Sequence, residues 1–293
     1  MRKLIPLVLC LMLCSFAVHS QVNKTKRKSS FAKKNDANSK FLDKQWWLGF
    51  KGGINFSKAI VDKSYGVYSP SNYEASAINK KYDDWSGVGA HATVEVTFTF
   101  RQFSLSFQPT YRNSKFSYSN HYEWSDEGQP QLILDFKQEQ KVDWAELPLI
   151  LKYDITQTKL RPYVQFGAYY AFLINANKSV ETSGIDYASG SENKFTEPDI
   201  IVGASDLFAK KHWGLAFGAG VNYHVGNIRL NLDVMYRKGM SLVNSTENRY
   251  GDPRLSGTGD VMDDVKLNNI AISLGCLFPL RFLSSGFQSI DRP

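Results

Sequence analysis

The chain is poor in cysteine, long apolar runs and helical periodicity, and each deficit narrows what it can be. Three cysteines occur in 293 residues, and two of them, Cys10 and Cys14, fall in a leader-like start. Cys276 alone cannot close an internal disulfide, so bridges do not hold the fold. It shares its face with Ile272, Leu274 and Phe278 and reads as a small apolar filler. The longest apolar run, Leu4–Leu13, is too short to span a bilayer as a helix. It follows Arg2 and Lys3 and precedes Val18-His19-Ser20, the layout of a signal peptide over 1–20. Leu13 before Cys14 argues against a lipoprotein.

Basic character is confined to one segment. Of the net charge of +7, the leader carries +2 and residues 22–44 carry +6, leaving −1 for the rest. A nucleic-acid-binding domain would want its charge on a structured face, which argues against that function. Residues 21–45, with Lys24, Lys26, Arg27, Lys28, Lys33 and Lys34, read as a disordered basic tail in the periplasm. It is either a solvated spacer or a tether to an acidic partner.

What the rest has in abundance is alternation. From Ile228 onward, Leu230, Leu232, Val234 and Tyr236 alternate with mostly polar residues, the period-two signature of a half-greasy strand. The pattern recurs near 46–56, 85–100, 103–118, 141–154, 161–175, 212–224, 228–240 and 265–280. Three connections are short: Arg101-Gln102, 155–160, and Val225-Gly226-Asn227. Four are long: 57–84, 119–140, 176–211 and 241–264. One trimmed end and one elaborated end is the plan of an all-β, eight-stranded antiparallel up-and-down transmembrane barrel of the outer-membrane type. Its domain would span 46–282, with a C-terminal tail over 283–293, and both termini at the trimmed, periplasmic end.

A soluble carrier of an apolar ligand has the same period, with the faces exchanged. The small residues Gly214, Ala216, Gly218 and Gly220 suit a crowded interior rather than a solvated wall. Aromatics gather near both strand ends, with Phe100, Phe103, Tyr153, Tyr223 and Phe278 toward the short turns. Tyr111, Phe172, Trp213 and Tyr236 lie toward the long loops, as two belts facing outer-membrane lipid. A continuous apolar face would also aggregate in water. The lumen is then filled by Lys51, His91, Glu95, Arg112, Glu146, Lys152, Arg229, Asp233 and Arg237. Such charges must pair, and Lys51 with Glu95 and Arg112 with Glu146 are the expected couples. Pro109 and Pro148, inside strands, predict a bulge or a locally open pairing.

Several motifs look familiar together. Trp47-Leu-Gly-Phe-Lys-Gly-Gly-Ile-Asn-Phe-Ser57 resembles the first strand of the PorT-type outer-membrane β-barrel family. Phe107-Gln-Pro-Thr-Tyr111 fits its third, and Glu146-Leu-Pro-Leu-Ile-Leu-Lys-Tyr153 its fourth. Arg161-Pro-Tyr-Val-Gln-Phe-Gly-Ala168 is similar to the fifth. Trp213 through Gly218, Gly220 and Val221 to Tyr236 resembles the sixth and seventh, and Asn269-Ile-Ala-Ile-Ser-Leu-Gly275 the eighth. The resemblance covers most of 46–282 and omits the Lys-rich tail and long loops. It implies an outer-membrane barrel without catalytic residues, whose founding member serves a type IX secretion pathway. Envelope or secretion-machinery proteins would be the partners.

No chemistry-bearing motif competes. An enzyme at the barrel rim, acting on lipid or peptide, would need a Ser/His or Asp/His pair. His91, His121, His212 and His224 stand in no such sequence motif, so no catalytic residue is assigned. Asp260, Asp263 and Asp264 lack the ordered spacing of a calcium loop and read as a solvated acidic turn. No nucleotide, haem or zinc signature is present, so no cofactor or metal is expected. Tyr65, Tyr68, Tyr73 and Tyr82 are either partner or glycan contacts or packed loop tyrosines.

Overall fold

Alternating side chains become a closed ring because the strands of the ring mostly bury their polar residues and turn their apolar ones out. The computed structural model describes residues 44–65, 80–85, 87–126, 129–251, 253–258 and 261–280. The leader, residues 21–43 of the basic segment and 283–293 lie outside them, whereas Lys44 and Gln45 already belong to the first strand. The strands in chain order are β1 (Lys44–Lys63), β2 (Lys81–Tyr82), β3 (Gly87–Phe100), β4 (Phe103–Phe107) and β5 (Thr110–Asp126). They continue with β6 (Gln129–Asp154), β7 (Leu160–Asp186), β8 (Asn193–Gly203), β9 (Lys211–Val225), β10 (Ile228–Gly239) and β11 (Asp264–Pro279). β4 and β5 are two parts of one barrel strand, so the ring has eight members. It closes where β1 pairs β11 from Trp47↔Pro279 to Lys63↔Asp264. Lys44 pairs Phe100, which places the start of β1 at the end where Arg101 turns the chain.

The prolines open the ladder without shifting it. Phe107↔Leu149 and Thr110↔Glu146 keep one register on either side of the β4–β5 break. Each proline still accepts through its carbonyl: Val94 N–H donates to Pro109 at 2.9 Å and Gln108 N–H to Pro148 at 3.0 Å. Only the return bond that a proline nitrogen cannot make is missing. The outcome is the open pairing, with no bulge at this place.

The trimmed end has tight turns, with Gly226 at φ 58° and Arg101, less usually for a side-chain-bearing residue, at φ 57°. The elaborated end differs from the sequence expectation. Residues 119–140 are no long loop: β5 and β6 run on in pairing register to Ser125↔Pro130, with one register shift at Trp124/Ser125. β7 likewise continues to Asp186 and is joined by β8. A crossing needs about ten residues, so much of β6 and β7, of 26 and 27 residues, stands beyond the lipid. There the outer face is polar, with Lys137, Glu139 and Lys141, and the inner face mixes buried Gln138 and Gln140 with buried Phe136 and Val142. The amphipathic signal therefore fades while the pairing persists. The free edge of β8 is blunted by Pro198 beside a register shift at Val180/Thr182.

Above the lumen, buried apolar residues from the extended strands and from the segments between β8 and β9 and before β11 form a lid. Phe116, Trp144, Leu207, Phe208, Val243 and Met262 belong to this cluster.

Candidate functional site

The outward face is apolar around the ring. Phe50, Phe166, Leu232 and Leu274 are 61%, 57%, 52% and 67% exposed. Such an expanse is tolerable only against hydrocarbon. The aromatics sit on this face in two rows. Phe100 pairs Phe103, which pairs Tyr153, at the short-turn end, with the Phe103 and Tyr153 rings 5.1 Å apart. Tyr223 is exposed and Phe278 half-buried at the same end. Toward the elaborated end Tyr111 pairs Ala145, which pairs Phe172. Trp213 is exposed beside Tyr170. Tyr236 is half-buried against Phe217, 4.9 Å away. Cys276 lies free on this outward face, half-buried.

Inside, the charged side chains converge in separate groups. The first is a quartet. Lys51 Nζ lies 2.7 Å from both Glu95 and Asp233, and Lys152 Nζ lies 2.5 Å from Glu95. Tyr163 donates to Asp233 at 3.2 Å, and Thr97 and Ser106 donate to Glu95 at 2.6 and 2.9 Å. Glu95 is fully buried. Carboxylates so deep persist as ions only when surrounded in this way. Glycines make the space: a Cβ at Gly220 would lie 2.5 Å from the Tyr163 hydroxyl, and one at Gly214 2.5 Å from that of Tyr169.

In the second group one oxygen of Glu146 receives Arg112 Nε at 3.0 Å and also Arg237. Arg112 reaches on to Asn269 at 3.0 Å, and Asn269 to Ser57 at 2.9 Å. Both expected couples, Lys51–Glu95 and Arg112–Glu146, are thus in contact. His91 and Arg229 stand apart from the ion pairs. His91 Nε2 shares a proton with Ser273 Oγ across 2.9 Å. Arg229 covers the Trp47 ring at 4.2 Å and donates to His224 at 3.1 Å. Near it Arg161 and Asp154, which the sequence did not single out, lie 3.8 Å apart. Their polar-face position in strands already marked as alternating was the available signal.

The lid corrects one expectation and decides between two others. Asp263 and Asp264 are buried rather than solvated, because the chain folds back over them. Lys80 lies 3.0 Å from Asp263 and also donates to the Val261 carbonyl, while Arg249 lies 2.9 Å from Asp264. Tyr82 donates to Asp263 at 2.8 Å and Tyr65 to Asp264 at 3.2 Å, so these two tyrosines are packed. Tyr68, Tyr73 and Asp260 lie outside the described residues. Burial alone would raise the Asp264 carboxyl, but hydrogen bonds from Arg249 and Asn244 hold it below its ordinary value. Among the described residues no cluster of ligating side chains suits a metal ion.

On the outer wall of the protruding strands, His121 Nδ1 lies 2.7 Å from Asp135, both exposed. His121 is on β5, not in a loop. A groove of about 440 Å³ beside them is lined by Asp83, Ser119, Asp135, Lys137, Glu181 and Ser183, with Phe136 at its floor.

An eight-stranded ring with an apolar exterior and an ion-paired, side-chain-filled interior defines a transmembrane β-barrel. The chain belongs to the outer membrane protein beta-barrel domain family, whose model matches residues 20–245. No curated protein matches its sequence. It is similar to Neisserial surface protein A, with 15% identity, TM-score 0.34, and coverage of 80% of this chain and 96% of that one. Ail, the attachment invasion locus protein of Yersinia pestis, gives 12% and 0.28, covering 80% and 99%. The N-terminal barrel of Pseudomonas aeruginosa OprF gives 11% and 0.29, covering 80% and 98%.

Proposed function

We propose that the protein is a non-catalytic scaffold or accessory component of the outer membrane, working in envelope assembly or protein secretion. The observation that carries this reading is the filled lumen beneath an apolar lid. Side chains packed to near-zero exposure leave no path for cargo, so the work falls to surfaces beyond the lipid. The four-stranded extension of β5 to β8 offers one such surface. The resemblance of the strands to PorT-type barrels favours secretion of the type IX kind. In this reading residues 1–20 are removed on export, both ends face the periplasm, and the basic tail contacts envelope proteins.

Affinity capture from detergent-solubilised envelope, with the full chain and with residues 22–44 deleted, tests it. A specific envelope partner held by the full chain and lost on deletion is the expected result. Empty capture with both proteins would count against the accessory role.

One observation favours a second reading, a hydrolase acting at the rim on lipid or peptide: the contact between His121 and Asp135 beside an open groove. A carboxylate-oriented imidazole is half of a general-base device. Among the described residues no serine or threonine hydroxyl bonds His121, so the nucleophile would be water. His121→Ala is expected to leave lipid and protein turnover by purified barrel unchanged. An activity abolished by that change would install the enzyme in place of the scaffold.

A further inference from the structure

Charge in the lumen is not balanced. Below the lid, Lys51, Arg112, Lys152, Arg161, Arg229 and Arg237 are buried against four carboxylates, Glu95, Glu146, Asp154 and Asp233, while Lys178, Asp263 and Asp264 are buried further out. The quartet of Lys51, Lys152, Glu95 and Asp233 is neutral, so the surplus lies elsewhere. Part of it is at the short-turn mouth, where Arg161 and Arg229 stand against Asp154. There Arg161 already reaches the exposed turn, donating to the Thr158 carbonyl at 3.1 Å, and water can screen it.

The remainder has no such outlet. Arg112 and Arg237 are 1% and 4% exposed and share Glu146, at 3%. Two guanidiniums on one carboxylate leave one positive charge over. At this level the wall carries the outer aromatic row, with Tyr111 and Tyr236 next in the chain to Arg112 and Arg237, and the apolar lid closes the outer end. Guanidinium does not shed its proton to relieve the cost. The donors are incomplete too. Arg112 Nη2, Arg237 Nε, His91 Nδ1 and both ring nitrogens of His212 are buried with no hydrogen-bond partner. These groups are neighbours in the ladder: His91 pairs Arg112, and Ala171 joins Glu146 to His212.

We propose that this part of the lumen holds a resident inorganic anion of the halide type, seated against Arg112 and Arg237. One negative charge is what the group lacks. The free arginine donors, Arg112 Nη2 and Arg237 Nε, sit on different side chains rather than in a parallel fork, and a neutral imidazole can add one N–H, which suits a sphere that accepts from any direction. A carboxylate or phosphate would want paired donors and more volume than walls packed this closely leave.

Bromide replaces chloride in the test. The full chain is purified and crystallised in bromide, and anomalous differences are measured at the bromine edge. A peak in contact with Arg112 and Arg237 is expected. Arg237→Gln removes the surplus and should cut its occupancy below half. Glu146→Gln enlarges the surplus and should leave the occupancy equal or higher, the reverse of what a merely structural disturbance would do. A wild-type map without a peak at these residues, or with one only beside Arg161, overturns the proposal, and needs no variant to fold. An occupancy indifferent to Arg237→Gln overturns it as well.

Discussion

Glu95→Gln should cost the barrel about 3–5 kcal/mol, the range for removing one partner of a buried ion pair. The carboxylate of Glu95 receives Lys51 at 2.7 Å and Lys152 at 2.5 Å with no solvent in reach. Glutamine keeps the shape and loses the charge, so two ammonium groups would face Asp233 alone. Lost Coulomb attraction is the smaller part of the expected loss. The larger part is an ammonium left desolvated without a counter-ion. Adding Lys152→Met to Glu95→Gln restores parity within the group and should recover most of the stability, since a methionine fills the same lumen volume without a charge. Urea unfolding of detergent-folded protein, followed by the mobility difference between folded and heated barrel on gels, reads both. If the single variant lost less than about 1 kcal/mol, or the double variant were no better, the lysines would not depend on Glu95 for compensation.

Leu232→Arg should cost about 2–4 kcal/mol, the range for a cation on the lipid face near mid-bilayer. Leu232 is 52% exposed between Val221 on β9 and Leu274 on β11, and lies between the row of Tyr223 and that of Tyr236. In water such a change would be nearly neutral and would raise solubility. Leu232→Met, of similar volume and polarity, should be silent. Vesicle folding titrations of the three proteins separate the cases. A Leu232→Arg protein as stable as wild type and soluble without detergent would revive the soluble carrier and remove the membrane from the account.

These two variants probe opposite faces of the same alternation, and their legibility in the sequence differed. Strand β3 was plain because Val88, Ala90, Ala92, Val94, Val96 and Phe98 turn one way and His91, Thr93, Glu95 and Thr97 the other. The outer stretches of β5 and β6 were not plain. Ser119↔Lys137 and His121↔Asp135 pair polar with polar, so no hydrophobic period marks them. Backbone hydrogen bonding and the neighbouring strand hold them extended. Asp263 and Asp264 looked solvated for a related reason. Their partners Lys80 and Arg249 are 183 and 15 residues away in the chain, and nothing local announces either.

The sequence by itself determined the period-two alternation, the count of eight barrel strands, the side of each strand that carries charge, and which end is elaborated. These properties belong to single strands and their immediate turns, where the spacing of side chains acts directly. The tertiary structure alone decided which charges meet. Glu95 serves two lysines, Glu146 serves two arginines, and Arg229 rests on Trp47 rather than on a carboxylate. Those outcomes depend on closure of β1 onto β11 and on the stagger between strands. Closure and stagger fix the height at which each lumen side chain arrives, and they exist only once the ring is complete.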